Sequence, residues 1–163
     1  LLVKDFQIIH QCGESQFQSV KSELEKIIKE GEGEYADAVK VNYKLYPFFD
    51  ANDMALAYAA ADIIISRAGA SNISEIAMLG KPAIIIPITN SSSNHQLENA
   101  LEISKFGAAM TEEQNLTPHI IISQINSLLQ PEKLNSISEK LKTFATPDAA
   151  DKIATALLPL TQQ

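Results

Sequence analysis

The feature of this sequence that most limits its fold is the alternation between short β-branched runs and longer segments of helical periodicity. Two of the runs, residues 63–65 and 83–86, are apolar throughout, as strands are when both faces of their sheet are covered. The helical segment 72–79 separates them and ends at Gly80, Lys81 and Pro82, which form a stop signal. This pattern predicts an α/β fold with a parallel sheet and helices on both faces.

The same alternation extends along the chain, whose 163 residues suit one domain. The predicted strands are 6–10, 39–46, 63–65, 83–86 and 107–110. The predicted helices are 15–30, 53–61, 72–79, 94–105, 118–129, 131–144 and 148–158. We find no internal repeat, low-complexity tract or interdomain linker in the sequence.

Composition excludes several functional classes. With 20 acidic and 13 basic residues the net charge is −7, so a broad basic face for nucleic acid is not expected. No apolar stretch approaches the about 20 residues of a membrane-spanning helix. The one cysteine, Cys12, rules out an intrachain disulfide and fits a reducing compartment. His10, His95 and His119 have no metal-ligand spacing, and we predict neither a metal nor a cofactor.

The first chemically informative segment, residues 66–75, follows a predicted strand and opens a helix. Small residues at 68–71 and the unpaired N–H groups of a helix start suit a phosphate group. Glu75, expected in the first turn, would accept hydrogen bonds from sugar hydroxyls. The alternative is a capping box formed by Asn72 and Glu75. Arg67 would hold an anion or, alternatively, pair with a surface carboxylate.

The second segment, residues 87–100, also follows a strand and opens a helix. His95, Gln96 and Asn99 offer donors and acceptors suited to a polyhydroxylated ligand. The alternative is a capping box of Ser93 and Gln96 with His95 solvated. Because α/β sheets bind ligands at the carboxyl ends of their strands, the two segments together predict a ligand cleft.

Weaker candidates lie near the start of the chain. His10 ends an apolar run and is expected to be structural. Asp50 and Asp53 would form an acidic pair, although Asp53 also suits a helix start.

These segments resemble one family. SRAGASNISEIAMLGKPAIIIPI followed by NHQLENA resembles the C-terminal half of the bacterial MurG family, and FQIIHQCGE, DMALAYAAADIIISRAG and FGAAM match the same family in the same order. The resemblance covers roughly residues 6–130. Its members transfer N-acetylglucosamine from UDP-N-acetylglucosamine to lipid I, making lipid II for peptidoglycan. Their fold, the GT-B arrangement, has two Rossmann-like halves, and the C-terminal half binds the nucleotide sugar.

The resemblance implies a role for individual residues. Ala70, Ser71 and Asn72 would contact the diphosphate, and Glu75 would bind the ribose hydroxyls, which now outranks its capping alternative. His95 and Gln96 would contact the N-acetylglucosamine hydroxyls. The uracil contact is expected among residues 49–51, which are Phe49, Asp50 and Ala51.

The resemblance also implies what the sequence lacks. The family's second half begins with a strand and a GGSxGA loop, and this sequence, which starts at Leu1 without Met, begins after them. The N-terminal half, with its acceptor site, general base and membrane-facing surface, is also missing. Residues 1–163 are therefore expected to be a truncated donor-binding domain, soluble, inactive alone and without a catalytic residue of its own.

The full-length enzyme is expected to be an inverting hexosyltransferase, peripheral at the cytoplasmic face of the bacterial inner membrane, with UDP-N-acetylglucosamine and lipid I as its substrates. Two alternatives remain open from the sequence. One is a non-catalytic donor-binding subunit with a separate acceptor-binding chain, as in the eukaryotic two-chain enzyme that resembles this half. The other is a different GT-B enzyme, such as a sugar-nucleotide epimerase.

Overall fold

The computed structural model describes residues 2–31, 33–88 and 94–161, and within these ranges the α/β class is confirmed. The strands are β1 (Ile8–Gln11), β2 (Tyr43–Tyr46), β3 (Ile64–Arg67), β4 (Ala83–Ile86) and β5 (Ala109–Met110). The helices are α1 (Glu14–Glu30), α2 (Glu34–Asn42), α3 (Ala51–Ala60), α4 (Ala70–Leu79), α5 (His95–Ser104), α6 (Pro118–Leu128), α7 (Pro131–Phe144) and α8 (Ala149–Leu157). Short 3-10 helices lie at Leu2–Lys4, Glu113–Asn115 and Leu158–Thr161.

The chain divides into two compact units, unit 1 (Leu1–Ala61) and unit 2 (Asp62–Gln163). In unit 1, β1 pairs in parallel with β2, and Ile8 lies opposite Tyr43. In unit 2, the strand order is β3-β4-β5, again parallel, with Ile64 opposite Ala83. The parallel direction predicted from the sequence is confirmed, and the described strands form a two-stranded sheet in unit 1 and a three-stranded sheet in unit 2.

The core of unit 2 is built around β4, the middle strand of its ladder. Ala83, Ile84 and Ile85 have no exposed surface, as the continuous apolar run predicts. Fully buried side chains from three helices also belong to this core: Ile76 of α4, Ile103 of α5 and Leu141 of α7. Burying a side chain of this size stabilises the fold by about 1.5–3 kcal/mol. The described residues that directly follow β3 and β4 therefore start from well-packed strands.

Unit 1 has a thinner core. Among the described residues of this unit, the buried apolar side chains are Val3, Ala36 and Val39, and α1 has no buried side chain. A partly open cavity of about 240 Å³ lies between elements of this unit. Its lining is Val3, Val20, Glu23, Leu24, Ile27, Tyr35, Val39 and Tyr43. Unit 1 therefore has fewer buried apolar contacts to stabilise its fold than unit 2 has.

The predicted strand 39–46 is wrong over its first half. Helix α2 continues to Asn42, and β2 has only the last four residues of the predicted segment. Ala36 and Val39 lie three residues apart and are both buried, so the helical period decides which face packs inward. Lys40 also pairs with Asp37 at 3.0 Å, a spacing typical of a helix surface.

Within the described ranges, none of the helices combines the length and the apolar character that crossing a lipid bilayer requires.

Candidate functional site

The first predicted segment turns from β3 into α4 at Gly69. Gly69 is the N-cap residue, with φ −68° and ψ 140°, and the helix begins at Ala70, two residues before the predicted start. The first intrahelical bond runs from the Ile73 N–H to the Gly69 carbonyl at 3.0 Å. No side chain in the described part of the protein caps this end. The N–H groups of Ala70, Ser71 and Asn72 therefore lie at an uncapped helix start, the kind of position where anions bind.

The alternative of a capping box formed by Asn72 and Glu75 is wrong. Asn72 is the third residue of α4, and its Nδ2 donates to the Ser66 Oγ at 3.0 Å. Glu75 is exposed and lies in the second turn of the helix, whereas the sequence predicted the first turn. Because Gly69 takes the N-cap position, Asn72 and Glu75 are the third and sixth residues of α4. The ribose contact of Glu75 stays a prediction.

Arg67 adopts the surface pairing that was its alternative. Its guanidinium nitrogen lies 2.9 Å from Glu113 Oε1, with about half of each side chain exposed. The hydrogen bond from Arg67 and its positive charge lower the pKa of the Glu113 carboxyl. Because both groups are solvated, the pair adds little stability, but it links the end of β3 to the 3-10 helix at Glu113–Asn115.

The second segment opens α5, which begins at His95 with Asn94 as its N-cap. His95 is exposed, and its Nδ1 lies 3.9 Å from Glu98 Oε2. Gln96 is half-buried, and its Oε1 accepts a hydrogen bond from the Ile88 N–H at 3.0 Å. Because a backbone N–H can only donate, this contact fixes which end of the amide is the oxygen and leaves Nε2 as the donor end. Ser93, the other half of the predicted capping box, lies outside the described residues.

A contact that the sequence did not indicate links the two segments. Asn99, three residues after Gln96 in α5, donates from Nδ2 to the Ala68 carbonyl at 3.1 Å. The sequence placed Asn99 among possible ligand donors. Its spacing from Gln96 was the available signal that both amides share one helix face. The structure therefore brings α5 and the residues before the start of α4 together within unit 2.

The residues predicted near uracil belong to unit 1. Phe49 donates its N–H to the Gln11 Oε1 at 3.2 Å, and its ring lies 4.8 Å from that of Tyr46. Asp50 is the N-cap of α3 and accepts from the N–H groups of the second and third helical residues, at 2.8 and 2.9 Å. Asp50, and not Asp53, is therefore the helix-start residue. Ala51 is exposed as the first residue of α3.

His10 has the structural environment predicted for it. Its Nδ1 shares a hydrogen bond with the Tyr43 hydroxyl across the β1–β2 ladder. Partial burial lowers the pKa of His10 and raises the pKa of Tyr43, since it disfavours the charged form of each.

Comparison with known proteins identifies the family. The chain matches the glycosyltransferase family 28 C-terminal domain over residues 1–153. It is 36% identical over 152 residues to the Lactobacillus acidophilus UDP-N-acetylglucosamine--N-acetylmuramyl-(pentapeptide) pyrophosphoryl-undecaprenol N-acetylglucosamine transferase, covering 92% of this chain and 38% of that protein. It is 35% identical over 163 residues to the protein of the same name from Flavobacterium psychrophilum, covering 99% of this chain and 40% of that protein.

The chain is also similar to a solved structure. The crystal structure of Acinetobacter baumannii MurG aligns with a TM-score of 0.72 at 29% identity, covering 92% of this chain and 42% of that one. The chain thus spans about two fifths of the length of the relatives it matches. Because the family's C-terminal domain matches residues 1–153, the chain belongs to glycosyltransferase family 28 and corresponds to that domain.

Proposed function

We propose that this chain is the donor-binding domain of an inverting transferase that moves N-acetylglucosamine from UDP-N-acetylglucosamine to lipid I. The observation that carries the proposal is the uncapped start of α4 at Gly69, which follows β3 and is linked to α5 by Asn99. The names of the relatives support the choice of donor sugar and acceptor.

In this proposal each part of the donor meets a different element. The N–H groups of Ala70, Ser71 and Asn72 bind the diphosphate, and the Glu75 carboxylate accepts from the ribose hydroxyls. His95 and Gln96 contact the sugar, with the Gln96 Nε2 as a donor because its Oε1 is already bonded to Ile88. Uracil contacts come from the region of Phe49, Asp50 and Ala51.

The chemistry follows from this placement. The acceptor hydroxyl attacks the anomeric carbon, the bond from that carbon to the UDP oxygen breaks, and UDP leaves with the bonding electrons. Negative charge develops on the leaving diphosphate, and the helix-start N–H groups stabilise it there. A general base must take the proton of the acceptor hydroxyl, and we place that base in the other half of the full-length protein.

We further propose that the first strand of this domain, with its GGSxGA loop, precedes Leu1 in the full-length protein. What supports this is the resemblance of residues 6–130 to the MurG family, whose second half begins with that strand and loop.

On the same proposal the full-length enzyme works as a peripheral protein at the cytoplasmic face of the inner membrane, where its lipid-linked acceptor lies, and the present chain alone is inactive. Formation of lipid II by this chain alone would contradict the proposal.

Donor binding tests the site. Isothermal titration of the full-length protein with UDP-N-acetylglucosamine should show weaker binding for Glu75→Ala and for Gln96→Ala. Loss of a hydrogen bond to a charged group costs about 1.5–3 kcal/mol, so Glu75→Ala should raise Kd at least about tenfold. Glu139→Ala in α7 and Gln18→Ala in α1 are matched controls, since both side chains are exposed and lie on other elements. Wild-type affinity in both site variants would contradict the assignment.

A further inference from the structure

Two side-chain amides of α5 hold the ends of two neighbouring strands. Gln96 accepts from the N–H of Ile88, two residues after β4, and Asn99 donates to the carbonyl of Ala68, one residue after β3. Because Gln96 and Asn99 are three residues apart, they share one face of the helix. These two hydrogen bonds connect the first two turns of α5 to the residues that follow β3 and to those that follow β4.

The contact with Ala68 has a clear chemical requirement. Ala68 has no exposed surface, so water cannot replace a lost partner of its carbonyl oxygen. Asn99 supplies an N–H donor there, at 3.1 Å. An aspartate at this position would have the same shape but would place a second acceptor against the carbonyl.

The Ala68 carbonyl shares a peptide plane with the N–H of Gly69. The peptide unit is rigid, so fixing the direction of the carbonyl also fixes the direction of that N–H. Gly69 is the N-cap of α4, directly before the uncapped N–H groups of Ala70 and Ser71. A contact made by α5 therefore sets the geometry of the helix start that follows β3.

We propose that Asn99 is a positioning residue for the diphosphate of the nucleotide sugar. It holds the Ala68–Gly69 peptide so that the N–H groups at the start of α4 stay aimed at one anion position. This inference rests on the proposed donor site, because it assumes that the diphosphate binds at the start of α4.

The test compares a ligand that carries the diphosphate with one that does not. Full-length wild type, Asn99→Ala and Asn99→Asp are titrated with UDP and with uridine, at a temperature where circular dichroism shows each variant folded. We expect Asn99→Ala to raise the Kd of UDP about tenfold and Asn99→Asp to raise it further, because the carboxylate repels the carbonyl. The Kd of uridine should change less than about twofold, since uridine makes no contact with the helix start.

The matched controls are Asn126→Ala and Asn126→Asp, because Asn126 is exposed on α6 and lies outside both segments. They should leave both affinities unchanged. A kinetic measurement adds a second readout: in the full-length enzyme the KM for the donor should rise while the KM for the acceptor stays constant.

Three outcomes would overturn the inference. Unchanged UDP affinity in both Asn99 variants would show that the contact does not position the site. Equal losses for UDP and uridine would show that Asn99 supports only the general fold. If wild type binds neither UDP nor UDP-N-acetylglucosamine, the proposed function itself fails and the inference falls with it, whereas the first two outcomes leave the proposed function standing.

Discussion

His10 and Tyr43 form a hydrogen-bonded pair across β1 and β2, in the unit with the thinner core. The imidazole accepts the phenolic hydrogen only while its Nδ1 is unprotonated, and burial lowers the pKa of His10 below its ordinary value. As pH falls, the unfolded chain therefore takes up a proton at this residue before the folded chain does. The stabilising contribution of neutral His10 is complete above the unfolded pKa of about 6.5 and is lost as pH drops towards the lower folded value.

We therefore expect unit 1 of the wild type to lose more stability between about pH 8 and about pH 5 than unit 1 of His10→Phe, which has no group titrating at this position. All four tyrosines lie in residues 1–61 and the chain has no tryptophan, so tyrosine fluorescence during urea unfolding reports on this unit. Tyr43→Phe is the control, because it removes the hydrogen bond and keeps the histidine. Parallel pH dependences for wild type and His10→Phe would contradict the expectation.

Among the helices, α3 shows how a residue predicted as a ligand contact can have a structural role. Asp50 accepts two N–H groups at the start of α3. Asp50→Ala should therefore destabilise unit 1 by about 1 kcal/mol, whereas Asp50→Asn keeps a side-chain oxygen and should cost little. Urea unfolding followed by tyrosine fluorescence measures both. If Asp50 only caps, Asp50→Asn leaves the donor affinity of the full-length protein unchanged, and a loss of affinity in that variant would instead support a uracil contact.

The packing of α4 on α7 depends on Gly80. Gly80 ends α4 with φ 63° and ψ 29°, a left-handed conformation. A Cβ at this position would lie 2.6 Å from the Ser138 Oγ, 2.8 Å from the Lys142 Cε and 2.9 Å from the Ser138 carbonyl oxygen. Gly80→Ala should cost about 1–2 kcal/mol for the conformation, and about 1–3 kcal/mol more for the displaced α7 side chains.

A double-mutant cycle measures the part of the steric cost that comes from the Ser138 hydroxyl. Ser138→Ala removes the nearest atom, so Gly80→Ala should cost less in that background, by about 0.5–3 kcal/mol. Denaturation followed by circular dichroism gives the four free energies of unfolding. An additive cycle would show that the Ser138 hydroxyl contributes nothing to the cost of Gly80→Ala.

The elements also show what could be predicted from local sequence. The apolar run at β4 and the stop signal at Gly80 are local features, and both appear in the structure where they were expected. The alternation in residues 39–46 predicted a strand, but only residues 43–46 form one, since the packing of Ala36 and Val39 extends α2 to Asn42. A local alternation pattern cannot show where a preceding helix ends when packing decides it.

Part of the candidate site could likewise be predicted from the sequence, and part could not. The positions of both segments after buried strands could be predicted, because the alternation of strands and helices fixes which loops share an edge. The contacts of Asn72 with Ser66 and of Asn99 with Ala68 could not, because each joins residues whose distance depends on the folded backbone. The capping box of Asn72 and Glu75 was plausible by spacing alone, and it fails because α4 starts two residues before the predicted position, with Gly69 as its N-cap.

At the scale of the whole molecule, the buried side chains are distributed unequally. The largest fully buried ones, Ile76, Ile84, Ile85, Pro87, Ile103 and Leu141, all lie in unit 2. Unit 1 has Val3, Ala36 and Val39 and a cavity beside them. Since stability is a small difference between burial and chain entropy, a short segment with few buried side chains does not reach a stable fold alone.

We therefore expect a fragment of residues 62–163 to fold by itself and a fragment of residues 1–61 to remain largely unfolded. Thermal denaturation followed by circular dichroism should give a cooperative transition for 62–163 and no sharp transition for 1–61, with the 163-residue chain as reference. Ile85→Ala in the larger fragment is the internal control: it removes a fully buried side chain and should lower stability by about 2–5 kcal/mol. A sharp transition in 1–61, or none in 62–163, would mean that these buried side chains do not decide which unit is stable.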